Sequence, residues 1–179
     1  MNRNITLKST CTALCLALSL VLPLLTGQIP QIGNMLCPMH IPVFLCGFIC
    51  GWPWGFSVGL LAPVLRSLIF SMPPMYPTAA AMALELAAYG LVSGLMYKLL
   101  PKKTPYIYVS LITSMVCGRI VWGIARLIFA GIGKTEFPFS VFISGAVTNA
   151  IPGIILHIAL IPPVIAALRK SKVIKDITA

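Results

Sequence analysis

Six apolar runs, each closed off by turn-forming residues, follow one another along the chain: Leu7 to Leu25, Met39 to Cys50, Trp54 to Phe70, Thr78 to Leu100, Tyr106 to Ala130 and Phe139 to Leu168. A stretch of about 20 mostly apolar residues is long enough to cross a bilayer as a helix. In hydrocarbon every backbone N–H and C=O must find its partner inside the protein, so such stretches become helices. The pattern predicts an all-α membrane protein, a single domain over residues 1–179 built as one compact bundle of six transmembrane helices. Composition agrees: with 59% hydrophobic and 9% charged residues, there is too little polar surface to coat a soluble globule. The punctuation is rich in Gly and Pro, at Thr26 to Pro30, Gly51-Trp52-Pro53, Met72 to Pro77, Pro101 to Pro105 and Gly131 to Lys134.

Charge sets the orientation. Arg3 and Lys8 precede the first run, Lys98, Lys102 and Lys103 bracket the fourth-to-fifth connection, and Arg169, Lys170, Lys172 and Lys175 close the chain. With six spans all of these fall on one face, against Lys134 alone in the loops of the other, the bias of cytoplasmic loops. Both termini are therefore expected in the cytoplasm, in a multi-pass protein of the cell membrane. The second run is short, but if Met39 to Cys50 only dipped into the bilayer, Lys102 and Lys103 would fall outside; parity supports a full span. The net charge of +10 does not point to nucleic acid, because the basic residues sit at the ends of apolar runs rather than in a stripe interleaved with aromatics. The first run has a basic leader, yet Leu25-Thr26-Gly27 is a poor cleavage site, so it is expected to stay as a helix.

Three arginines, Arg66, Arg119 and Arg126, lie within the apolar runs, and one acid, Glu85, lies there to answer them. An arginine at a helix centre costs roughly 2.5–3.5 kcal/mol on insertion scales, so it faces a protein interior or an aqueous cavity. Arg119, Trp122 and Arg126, spaced i, i+3, i+7, share one stripe of the fifth helix; Met82, Glu85 and Tyr89 share one of the fourth. Two stripes with opposite polar partners read as the walls of a pocket for an anion. An arginine fork suits a carboxylate, and aromatic faces suit the ligand body. Glu85 either touches that ligand or pairs with one arginine. His40, expected to open the second helix from the outside, and Asn149, beside the kink at Pro152, complete the candidate set. His157 reads as a packing or interhelical residue. On this view truncating Arg119 abolishes binding and leaves folding intact.

Other chemistry is poorly supported. Cys11 and Cys15, like Cys46 and Cys50, are four apart inside apolar helices, while Cys37 and Cys117 stand apart; helix packing accounts for them, and no metal or cofactor is expected. Of three acids, Glu136 and Asp176 lie outside the spans, leaving no paired carboxylates or nucleophile triad for an enzyme. No Gly-x-x-x-x-Gly-Lys-[Ser/Thr] loop cradles a nucleotide, so active uptake would draw on other chains. An autonomous secondary transporter or small channel, with Glu85 as relay, is the alternative class. The spacings of Gly51, Gly55 and Gly59, of Gly90 and Gly94, and of Ala13 and Ala17 predict close helix approach.

The basic N-terminus, a first helix with Ala13-x-x-x-Ala17, six short spans, proline-rich outer loops and a basic C-terminus together resemble the substrate-binding S component of an energy-coupling factor (ECF) vitamin transporter. The run Met35 to Gly51 and the run Gly59 to Ser67 are similar to the same regions of pantothenate- and riboflavin-type members. The resemblance implies that Ala13 and Ala17 dock on a membrane coupling subunit driven by two ATPase subunits. It also implies capture of a water-soluble vitamin in an outward pocket formed by the outer loops and the fourth to sixth helices. Membrane lipid is the surrounding partner. Pantothenate, a small carboxylate, suits the cationic surplus; riboflavin, neutral and flat, suits the aromatic side chains.

Overall fold

The computed structural model describes residues 3–25, 36–133 and 151–171, and every regular element among them is helical. The helices are α1 (Arg3–Leu25), α2 (His40–Cys50), α3 (Trp52–Phe70), α4 (Ala80–Leu99), α5 (Thr104–Gly133) and α6 (Ile151–Lys170). Five of them, with α4 extended through the irregular turn Met75–Ala79, are long and apolar enough to cross a membrane. The stretch 139–150, expected to begin the sixth span, lies outside the described residues.

Prolines taken as punctuation start helices instead. Pro53 stands in the first turn of α3, where its missing N–H would have had no partner anyway and its fixed φ suits the helix. The third span therefore begins at Trp52, not Trp54. Only Gly51 separates it from α2, with φ +99, a left-handed value that a side chain would strain. Gly131 and Gly133, also expected as a break, continue α5.

The second helix departs furthest from expectation. At 11 residues it rises only about 16 Å, half a bilayer core. It is nearly all buried, packed against α1, α3, α4 and α6, with Val43, Phe44, Cys46 and Phe48 at 0–1% exposure. A helix apolar all round belongs in the centre of a bundle. Because α2 ends at Gly51, beside the basic end of the bundle, its first residue lies deep inside rather than at the outer surface.

The bundle is held by glycine contacts. Gly47 of α2, Gly55 and Gly59 of α3, and Gly90 and Gly94 of α4 bring three backbones together; a Cβ on Gly55 would stand 2.7 Å from the Gly47 Cα. Outward, the helices show lipid-type side chains: Val116, Ile120, Ile124 and Leu127 of α5 are each more than half exposed. With lipid as the solvent, that face needs no polar cover.

Candidate functional site

Four helices bring polar side chains to one level. Counting 1.5 Å per residue from the basic ends, Glu85 lies about 21 Å up α4, Arg119 about 22 Å up α5 and His157 about 20 Å up α6. His40, the first residue of the half-length α2, meets them there.

Glu85 is the hub, 2% exposed. Arg119 Nη1 lies 3.0 Å from Glu85 Oε1, and the Tyr89 hydroxyl, one turn along α4, donates to the same oxygen at 2.6 Å. Of the alternatives open for Glu85, the arginine it pairs with is therefore Arg119. A buried carboxylate is tolerable when paired and hydrogen-bonded, and here both conditions hold. His40 Nε2 stands 4.0 Å from Glu85 Oε1, beyond hydrogen-bond reach. The His40 ring lies 5.3 Å from that of Tyr89 and stacks at 5.8 Å on His157, while Phe44 packs 4.8 Å from the Tyr89 ring.

The tautomer of His40 follows from its partners. Its Nδ1 sits 3.1 Å from the Cys37 carbonyl, which only accepts, so Nδ1 carries the proton and Nε2 of the neutral ring is an acceptor. Among the described residues, neither that Nε2 nor the Nε2 of His157, both buried, has a hydrogen-bond partner. Such orphans are costly in a low-dielectric interior and call for an explanation. Cys37 itself holds a left-handed φ of 46, sparsely populated for a residue with a side chain. Strain of that kind, about 1–3 kcal/mol, collects at functional positions.

His40, Arg119, Tyr89, His157, Cys37 and Phe44 line a cavity of ≈ 10 Å³ shared by α2, α4, α5 and α6. Of the residues expected from the sequence, Glu85, Tyr89, Arg119 and His40 thus converge, His40 from mid-bundle and not from the outer edge. Trp122 and Arg126, half-buried, continue the Arg119 stripe further along α5. Arg66 is placed elsewhere: buried, it donates from Nη1 to the Leu20 carbonyl of α1 at 2.9 Å and lies over the Phe70 ring. Asn149 lies outside the described residues. The segment after α3 is pinned to α5 by the Tyr76 hydroxyl, which donates to the Phe129 carbonyl at 2.7 Å.

His157, expected as a packing or interhelical residue, stacks on His40 and packs near Phe44 of another helix; one further member of the cluster has no counterpart in the sequence reading. Gly118 precedes Arg119, and a Cβ there would overlap the Tyr89 ring, so this glycine lets the ring lie flat against α5. Gly118→Ala is expected to push Tyr89 off Glu85 and to weaken ligand binding about as much as Tyr89→Phe, roughly tenfold or more for a hydrogen bond to a charged group. Parallel titrations of both variants test this; full affinity in Gly118→Ala would show that the Tyr89 position is immaterial.

No curated protein and no solved structure matches this chain. A family model described as the substrate-specific component of the ECF transporter does match, over residues 7–165. The span takes in all the residues that converge on Glu85, together with α1 from Leu7 onward and the first three-quarters of α6. The helical bundle with apolar outer faces and a buried polar centre fits a substrate-binding transport subunit of the cell membrane rather than an enzyme. The chain belongs to the family of ECF transporter substrate-specific components.

Proposed function

We propose that this subunit captures a small hydroxylated carboxylate, with pantothenate the leading candidate, at the centre formed by Arg119, His40, His157 and Tyr89. The observation that carries this reading is the pair of buried imidazole nitrogens beside the Arg119 guanidinium that have no hydrogen-bond partner among the described residues. Arg119 has donors beyond the one facing Glu85, in a fork that suits a carboxylate. His40 Nε2 accepts, and so asks for a hydroxyl or amide donor. The α2 N-terminus, where Met39 supplies no side-chain cap, adds the favourable end of a helix dipole. A ligand carrying both a carboxylate and hydroxyls answers all three. Because Glu85 cancels one positive charge, the site suits a single negative charge better than several. Trp122 and Arg126, and by the sequence reading Asn149, extend the site along the ligand, and Arg66 has a structural part between α1 and α3.

A cavity of ≈ 10 Å³ holds about one water, so vitamin binding parts the cluster. Family membership implies work with a membrane coupling subunit and ATPases. We place the docking face on α1: Ala13 and Ala17 are exposed, next to Leu14 and Leu18, whereas Cys15 and Ser19 turn inward.

Mass spectrometry of the small molecule retained by the purified protein tests the ligand class. Pantothenate or a like hydroxylated carboxylate is expected, and a neutral ligand such as riboflavin would refute the anionic site. In the same preparations the coupling subunit and ATPases should copurify with the wild type and be lost from Ala13→Leu/Ala17→Leu. Uptake into ATP-free vesicles by this chain alone would overturn the coupled mechanism.

A further inference from the structure

At the basic end of the bundle lies a larger cavity of ≈ 810 Å³, walled by the terminal turns of α1, α2, α3, α4 and α6 and the α4–α5 connection. Five cations line it: Lys8, Lys98, Lys102, Arg169 and Lys170. No carboxylate does so among the described residues, where the one acid is Glu85, about 21 Å away up α4. Two of the five, Lys102 and Arg169, are tied down by contacts within the protein, while Lys98 and Lys170 are exposed at the rim. Lys102 Nζ lies 3.7 Å over the Tyr97 ring and donates to the Tyr97 carbonyl, while Arg169 donates to the Lys102 carbonyl. Burial first, and then the Arg169 charge, pushes the Lys102 ammonium below the ordinary lysine range. The rest of the wall is apolar or aromatic, with Phe48, Trp52 and Trp54 prominent.

We propose that this cavity seats the headgroup of an anionic phospholipid of the basic-side leaflet, its phosphate among Lys98, Lys102 and Arg169 and its glycerol and upper chains against Phe48, Trp52 and Trp54. Five cations with no carboxylate beside them among the described residues draw an anion, and a basic pocket between helix ends on the positive side of a membrane protein lies at headgroup level. Tryptophan favours the same boundary. A soluble anion would have no use for the aromatic wall, whereas an amphiphile uses both the rim and the wall.

Native mass spectrometry of the detergent-purified protein, titrated with phosphatidylglycerol or phosphatidylcholine of identical chains, is the test. One retained phosphatidylglycerol per chain is expected, with phosphatidylcholine at least tenfold weaker. Lys102→Gln/Arg169→Gln should lower phosphatidylglycerol affinity about tenfold or more, at roughly a kcal/mol per charge converted to affinity. Lys103→Gln, outside the cavity, should leave it unchanged. If the double variant fails to fold, Lys98→Gln/Lys170→Gln asks the same question from the other rim. Equal retention of the two lipids overturns the proposal, as does displacement of the lipid by free glycerol phosphate at matching concentration. So does a variant that keeps its lipid while losing copurification of the coupling subunit, which would assign the surface to a protein partner.

Discussion

Arg119→Ala is expected to unfold at much lower denaturant than the wild type and to bind no ligand. Removing one partner of a buried ion pair strands the other, at about 3–5 kcal/mol, and Glu85 at 2% exposure has no route to water. This revises the expectation from sequence that truncating Arg119 leaves folding intact. The decisive comparison is with Glu85→Gln/Arg119→Gln, which removes both charges and keeps polar groups that bond to each other and to Tyr89. The double variant should recover most of the stability lost in Arg119→Ala and should still fail to bind a carboxylate. Denaturant unfolding in detergent and ligand titration on the same samples separate the two effects. Equal stability of Arg119→Ala and wild type would mean that the 3.0 Å contact carries no energy.

The second large effect lies in the glycine seam. In Gly90→Val the new side chain meets the Gly55 carbonyl, a backbone group of α3 that no rotamer change can move. Overpacking costs about 1–3 kcal/mol where side chains can yield, and the upper end or beyond is expected here. Gly131→Val is the control, since nothing lies within 4 Å of a Cβ there. Loss of the folded monomer on detergent gel filtration for Gly90→Val, with Gly131→Val unaffected, is the anticipated outcome. Normal behaviour of Gly90→Val would show that α3 and α4 separate without penalty.

Some of this was readable from the chain. The apolar runs announced the helices, and the two polar stripes placed Glu85 and Tyr89 opposite Arg119, because both stripes depend only on the helical period. What failed was depth. Met39 to Cys50 was treated as a full crossing, which put His40 at the outer rim; its burial at mid-bundle depends on how α1, α3, α4 and α6 enclose it, a tertiary fact with no local signature. Gly118 carries no signal of its own, since its worth lies in a ring contributed by another helix. Arg66 was ambiguous because a buried guanidinium accepts any carbonyl as partner, and here the partner is Leu20, 46 residues away in sequence.

The seam of Gly47, Gly55, Gly59, Gly90 and Gly94 also apportions motion within the molecule. Three backbones in direct contact have no side chains between them to slide or re-rotamer, so α2, α3 and α4 behave as one stiff jaw bearing His40, Glu85 and Tyr89. The opposing pair, α5 and α6 with Arg119 and His157, meets the first at rings rather than backbone on backbone, Tyr89 against Gly118 and His40 against His157. If the proposed site is the binding site, a ligand too large for a one-water cavity requires α5 and α6 to move away from the glycine-seamed helices rather than the seam to open.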